Sequence, residues 1–357
     1  MKHSKLAPSS ASRRAVCPGS RELEEQYPET GPSLSSIEGT TAHWVAAEYL
    51  AGRYDVPACD PTGEPITKEM LDGADLYEHA IGWKDGLHIE ERVDISVVHP
   101  ECWGTPDCWA VVDDRLYLYD YKFGHGYVEI FENWQLLEYA AGIYQLHPEV
   151  NTVSMTIVQP RCYTSEGTVR HWTITADQLR AYISQMQAFE SAAMKEDPEC
   201  IPSSECTHCT ARHACEALQK TVGRILDVVK SQRSHELSSL QTGSELRDLK
   251  QAAVLLDARM TGLEEQAKAM ITRGEYVPGF KMQPGQSREH WLSTPKEIIT
   301  LGDLMGVALA KPVDVITPSQ ARKAGIPEDI ILTYSRRVSG KLKLVEVSDA
   351  RKVFTQG

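Results

Sequence analysis

Two aspartates and a lysine stand close together in this chain of 357 residues: Asp107 in Gly104-Thr105-Pro106-Asp107, then Asp120 and Lys122 in Asp120-Tyr121-Lys122. Carboxylate oxygens are the ligands that a hard divalent cation requires. A cation held there polarises a phosphate and activates a water, and an amine beside it stabilises developing negative charge. These residue types therefore point to metal-dependent cleavage of a phosphodiester. Taken singly, each piece also has an ordinary reading, Pro106-Asp107 as a turn and Asp120-x-Lys122 as a solvated strand end.

The flanking elements decide whether the three side chains can meet. Gly104 and Pro106 favour a turn before Asp107. Val111-Val112 reads as a strand and Asp113-Asp114 as the next turn. Residues 115–121 then form a second strand, rich in aromatic and branched side chains. The result is a hairpin with a carboxylate on each strand. Upstream, residues 38–50 have a helical pattern that carries His43. Downstream, a helix over about 132–145 places Gln135 and Tyr139 four residues apart, on one face. Alone, His43 and Tyr139 read better as core residues. Residues 88–98, 152–159 and 169–174 read as further strands, and 60–80 and 175–195 as helices. Glu91 and Asp94 are expected near the carboxylates, with Glu38 and Glu91 as additional candidate acids.

In order, Gly39-x-x-x-His43, Gly104-x-x-Asp107, Asp120-x-Lys122 and Gln135-x-x-x-Tyr139 resemble the four motifs of the RecB-like branch of the PD-(D/E)XK nuclease superfamily. The resemblance implies an α/β fold, with a restriction-endonuclease-like mixed sheet flanked by helices. It implies that Asp107, Asp120 and Lys122 are catalytic. His43, Asp107, Asp120 and the backbone carbonyl of Tyr121 would bind Mn or Mg, and Gln135 and Tyr139 would position DNA. An imidazole among oxygens tilts the preference toward Mn.

The nine cysteines give a second signal. No N-terminal apolar stretch resembles a secretion signal and no run approaches a membrane span, so a reducing cytoplasm and free thiols are expected. Cys206, Cys209 and Cys215 form C-x2-C-x5-C, and Cys17 in Val16-Cys17-Pro18-Gly19 is the candidate fourth ligand. Four thiolates suit structural zinc or an iron-sulfur cluster. Cys200 and His208 are spare ligands. One distant cysteine plus C-x2-C-x5-C around a RecB-like core resembles the iron-sulfur exonucleases of the AddB and CRISPR-associated adaptation types, which implies a [4Fe-4S] cluster. Such a cross-link closes a long loop and removes unfolded-state entropy.

Length allows two domains with ample core. Residues 1–217 hold 16 Lys and Arg against 34 Asp and Glu, and residues 218–357 hold 21 against 16. An acidic chain does not coat nucleic acid indiscriminately, so DNA contact would be local, through metals and a groove. The expected organisation is a nuclease domain over 1–217 closed by the cysteines, a helical hairpin over 218–274 with its loop at 238–243, and a small α+β region over 275–357. That last region has expected strands near Phe280 and 342–345, and short helices at 295–305 and 318–324. The chain also resembles an uncharacterised phage and prophage family within the superfamily. This implies an exonuclease acting on phage DNA ends, in the cytoplasm of a bacterial host, beside a single-strand-binding or annealing protein. The competing reading is a DNA-end-binding assembly module that keeps the fold and recruits a replication or recombination partner.

Overall fold

The computed structural model describes residues 4–28, 31, 33–83, 85–230 and 238–282. The chain divides into two units, Met1–Tyr276 and Val277–Gly357. The first is built on a five-stranded sheet in the order β1-β4-β5-β6-β7, formed by His88–Ile89, Cys108–Val112, Arg115–Tyr121, Thr152–Val158 and Val169–Thr175. Strands β2 (Val93–Asp94) and β3 (Trp103–Gly104) form a separate two-stranded ribbon. All pairings are antiparallel except β5 with β6, which are parallel and joined through helix α5 (Trp134–Leu146). The mixed α/β architecture expected from the sequence is thus present.

Period-two alternation sorts the side chains of β5 between two cores. Leu116 and Leu118 pack with Leu136, Leu137, Ala140 and Ile143 of α5 and with Leu179, Ile183 and Met186 of α6 (Ala176–Ala193). Tyr119 and Tyr121 face the other way, onto Val45 and Leu50 of α3 (Leu34–Leu50) and Met70 and Tyr77 of α4 (Lys68–Ile81). Helices on both faces explain why β5 and β6 are buried toward their C-terminal ends, as parallel strands generally are.

Local signals start these helices. Ser33, Thr67 and Asn133 each accept a backbone N–H at the N-terminus of α3, α4 and α5. Thr175 and Gln178 form a reciprocal capping box at α6. Gly142 lets α5 lie against the ribbon, because a Cβ there would stand 2.7 Å from the carbonyl oxygen of Asp94.

Four expectations are corrected. The helix predicted over 60–80 begins only at Lys68, since Pro61, Gly63 and Pro65 hold a turn ahead of the Thr67 cap. The strand predicted over 88–98 is cut in two: Glu90 takes a left-handed φ of 50°, β1 pairs with β4, and β2 pairs with β3. The predicted loop at 238–243 is helical. Ser238 and Gln241 form a capping box, and α8 runs unbroken over Ser239–Thr272, with Gly243 inside it. Phe280 lies in a turn, 69% exposed, and not in a strand.

Helix α7 is observed over Glu216–Lys230 and packs against α8, with Leu218 and Val222 meeting Leu255 and Leu256. Two short helices precede the sheet, α1 (Ala11–Val16) and α2 (Ser20–Gln26). The elements expected at 295–305, 318–324 and 342–345 lie outside the described residues. Among the described residues, no helix is long and apolar enough to cross a membrane.

Candidate active site and cysteine cradle

The β4–β5 hairpin brings the two aspartates together. Its register pairs Cys108 with Tyr119, and one further step sets Asp107 opposite Asp120. The turn is tight because Asp113 adopts a left-handed φ of 54°, a conformation that Asp tolerates better than most residues. Asp107 is fixed on both oxygens: Oδ2 accepts the Tyr121 N–H at 2.7 Å, and Oδ1 lies 3.2 Å from His43 Nδ1. His43 comes from α3 across the end of the sheet and meets the Tyr121 ring edge-on. The close approach that seats Tyr139 depends on Gly104, where a Cβ would lie 2.8 Å from the Tyr139 ring and 2.9 Å from Pro8.

Lys122 and Gln135 complete one network with Asp120. The Lys122 ammonium stands 3.0 Å from Asp120 Oδ1 and donates to Gln135 Oε1 at 3.2 Å, while Gln135 Nε2 donates to Asp120 Oδ1 at 3.4 Å. Tyr139, one turn along α5 and beside Gln135, feels the charge of both aspartates. All the side chains singled out by the four motifs therefore converge. The Tyr121 ring is buried behind His43, with its hydroxyl under Gly73 of α4.

One acid was missed. Ligand atoms of His43, Glu90 and Asp107 all lie within 4.8 Å of one another. Glu90, and not Glu91, reaches the site. Glu91 pairs with His88 at 2.8 Å, Asp94 accepts from Ser96, and Glu38 pairs with Arg161. The left-handed turn at Glu90 is held by its N–H on the Asp107 carbonyl at 3.1 Å. Two successive acids in a strand-like run were the available signal, but alternation alone does not say which one turns inward.

Three carboxylates against one lysine leave the cluster short of positive charge, and protonation makes up part of the deficit. Loss of water on its cluster-facing side, then the charge of Asp107, pushes the otherwise exposed Glu90 up to about 7. Burial opposes the His43 cation, but the charge and hydrogen bond of Asp107 outweigh it and push His43 up to about 9. Burial raises Asp120 against the pull of Lys122, whereas His43 and Lys122 hold Asp107 low despite its burial. Asp120 Oδ2 is buried with no hydrogen-bond partner. An oxygen and imidazole donor set with an orphaned carboxylate oxygen fits a divalent cation.

A second constellation lies where the N-terminal helices meet residues 198–218. Cys17, Cys200, Cys206, Cys209 and Cys215 line one small enclosed cavity. Three of the sulfurs accept backbone N–H groups: Cys17 from Ile201 at 3.2 Å, Cys206 from Ser203 at 3.4 Å and Cys215 from Leu218 at 3.5 Å. Such bonds favour thiolates, so the cradle fits a sulfur-ligated metal group. Cys200 touches both Cys17 and Cys215, whereas His208 lines a different cleft with Tyr27 and Arg273. Burial, then the neighbouring sulfurs, pushes Cys200 up to about 12; burial, then Glu24, does the same for Cys209. Gly19 closes the cradle: its N–H binds the Glu199 carbonyl at 2.8 Å, and a Cβ there would stand 2.6 Å from Cys200 Sγ.

Over residues 3–352 the chain matches the family model described as "Protein of unknown function (DUF2800)". The chain belongs to that family. Among solved structures it is similar to SSO0001, at 13% identity and a TM-score of 0.34, covering 61% of this chain and 88% of that one. It is also similar to an alkaline exonuclease, LHK-Exo, from Laribacter hongkongensis, at 16% identity and a TM-score of 0.24 over 43% of this chain and 87% of that one. The complex of LHK-Exo with dAMP matches at 15% identity and a TM-score of 0.24, over 52% and 90%.

Proposed function

We propose that the chain is a metal-dependent deoxyribonuclease that works from DNA ends. The observation that carries this reading is the convergence of His43, Glu90 and Asp107 within 4.8 Å, with Asp120 and Lys122 on the adjoining strand. His43, Glu90, Asp107 and Asp120 would hold Mn or Mg, with the Tyr121 carbonyl as the backbone ligand that the motif resemblance adds. The cation would supply Lewis-acid activation of the phosphate and of the attacking water.

The chain's own residues supply the rest. Lys122 keeps its proton because Asp120 and Asp107 outweigh the cost of its burial, so it offers a fixed positive charge to phosphate oxygens. Gln135 bridges Lys122 and Asp120 and fixes the distance between them. Tyr139 and the amide of Gln135 would position the strand. Asp107, locked by the Tyr121 N–H, does not need to reorganise when substrate arrives.

The cysteine cradle would hold a [4Fe-4S] cluster through Cys17, Cys206, Cys209 and Cys215, the set that the motif resemblance gives, with Cys200 as a fifth thiol in contact. Its role in this reading is to staple the N-terminal helices to the segment after α6. Residues 1–217 would then act as the nuclease domain, 218–274 as a helical extension and 275–357 as a separate α+β region. A phage or prophage DNA-processing setting, with a single-strand-binding or annealing protein as partner, belongs to the same reading.

The test is digestion of end-labelled single-stranded and duplex DNA with Mn. Asp120→Ala and Lys122→Ala each lower cleavage by about 10²–10³-fold or more, as expected for loss of charge stabilisation in a preorganised site. Tight end binding without degradation by the intact protein would favour the assembly module instead.

A further inference from the structure

The loop that follows Lys122 covers the end of the sheet beside the carboxylate site. Strands β4, β5, β6 and β7 lie side by side and bring Asp107, Lys122, Gln159 and Arg170 to that end. Gln159 is fully buried and fastens the loop. Its Nε2 donates to the carbonyls of Gly124 and Gly126 at 3.0 and 2.6 Å, and its Oε1 accepts the Val128 N–H at 3.4 Å. Arg170, also buried, donates to Gln159 Oε1 at 2.7 Å and to the Val128 carbonyl at 3.1 Å. Two buried polar side chains thus hold residues 124–128 in one shape, next to the lysine that faces the phosphate.

The two glycines of this loop are not required by the fold. Neither Gly124 nor Gly126 takes a left-handed φ, and a Cβ on either would meet nothing within 4 Å. Glycine where neither the backbone nor the packing demands it leaves the surface low, which suits a ligand that passes close to the main chain. Both positions are exposed and lie within four residues of Lys122.

Tyr127 supplies the second feature. Its ring is held from two sides: the Arg170 guanidinium lies 4.8 Å from the ring centroid, and the hydroxyl donates to Glu166 at 2.7 Å. The residue nevertheless stays 43% exposed. A fixed, half-open aromatic ring is a platform on which a nucleic-acid base stacks, and only an unpaired base can reach it. The acids nearby are engaged by their own chain, Glu166 by Tyr127 and Glu129 by the N–H groups of Ile130 and Phe131 at 2.9 and 3.0 Å.

We propose that residues 124–128 are a landing platform for single-stranded DNA, with the sugar-phosphate backbone passing over Gly124 and Gly126 toward Lys122 and a base stacked on Tyr127. The platform rests on the nuclease reading and specifies its substrate as an unpaired strand. Fluorescence anisotropy in the Asp120→Ala background with Mn, where the strand stays uncut, tests it on oligothymidine and on the duplex of oligothymidine with oligodeoxyadenosine. The single strand binds more tightly than the duplex, and Tyr127→Ala weakens single-strand binding by about 10–100-fold, as expected for the loss of one stacked base. Tyr127→Phe, which keeps the ring, restores most of that binding. Gly126→Leu, which fills open space, leaves the melting temperature unchanged and weakens binding of the single strand. Equal or tighter binding of the duplex, or single-strand binding that either Tyr127→Ala or Gly126→Leu leaves unmoved, overturns the proposal whatever the cleavage assay shows. Binding in the predicted pattern by a protein that cuts neither substrate under Mn supports the platform and removes the nuclease reading alone.

Discussion

The carboxylate site and the cysteine cradle, the two places proposed to hold a metal group, are assembled in opposite ways. The carboxylate site sits on regular structure. A two-residue turn, a seven-residue strand and two helices fix Asp107, Asp120, Lys122 and Gln135, and hydrogen bonds hold them in place. The cradle is made of turns and one short 3-10 helix, and it joins residues 184 apart through the Ile201 N–H on Cys17. Preorganisation by strands makes the first site a matter of charge, whereas long-range closure makes the second a matter of folding. Removing a ligand from the first should change chemistry; removing one from the second should change stability.

The sharpest way to break this contrast is to open the cradle. Cys17→Ser is expected to abolish the brown absorbance of anaerobically purified protein. Calorimetry should then resolve a separate low-temperature melt of the cysteine region, with the sheet melting later. A single unchanged transition would show that the cradle is not a staple.

Arg14 links the two regions and gives the next largest effect. It sits on α1, just before Cys17, and forks onto Glu190 at 2.7 and 2.8 Å, with Glu138 of α5 at 3.6 Å. All three are buried, and burial drives Glu138 upward, so one guanidinium serves two carboxyls. Arg14→Met leaves Glu190 uncompensated and should cost about 3–5 kcal/mol by denaturant unfolding. A loss under about 1 kcal/mol would remove Arg14 as the link.

Glu90 tests the charge side of the contrast. Glu90→Gln keeps the shape and removes one ligand charge, so Mn affinity should fall by about 10–100-fold in calorimetric titration while stability changes little. The same titration has a pH signature. His43, raised to about 9, and Glu90, raised to about 7, hold protons in the metal-free protein. A cation must displace them, so Mn affinity rises with pH through 7 and on toward 9. The metal-free protein behaves in the opposite sense. Both folded values exceed the unfolded ones, so their contribution to stability is full below about 4.5 for Glu90 and 6.5 for His43, and is lost as pH rises through 7 and 9.

The smallest effect belongs to a position distant from both sites. Thr175→Ala removes the capping box of α6 and should cost about 1 kcal/mol in stability with no effect on Mn binding or on absorbance.

What could be read from the sequence follows the same division. The hairpin, the His43 helix and the Gln135–Tyr139 face were legible because each depends on neighbours within a few residues: turn formers, alternation, and the i, i+4 spacing. Glu90 was not, because a left-handed backbone at one residue breaks the alternation that strand reading relies on. The start of α8 was hidden by Gly243, which reads as punctuation although the Ser238–Gln241 box begins the helix five residues earlier. The Arg14 network joins residues up to 176 apart and leaves no local trace. Thiol spacing showed three members of the cradle and offered Cys17 as the fourth and Cys200 as a spare, and the chain's return past Gly19 shows that Cys200 lines it.

The central claim is that the carboxylate cluster cuts DNA from its ends when it holds a cation. It is tested most directly by following label release from 5′- and 3′-labelled duplex and single-stranded DNA, with free or blocked ends, under Mn or a chelator. The account predicts Mn-dependent release from free ends, suppressed by blocking and by chelation, and absent in Asp120→Ala protein of unchanged melting temperature. Label release that persists at full rate in Asp120→Ala, or no release by the intact protein under Mn, would contradict it.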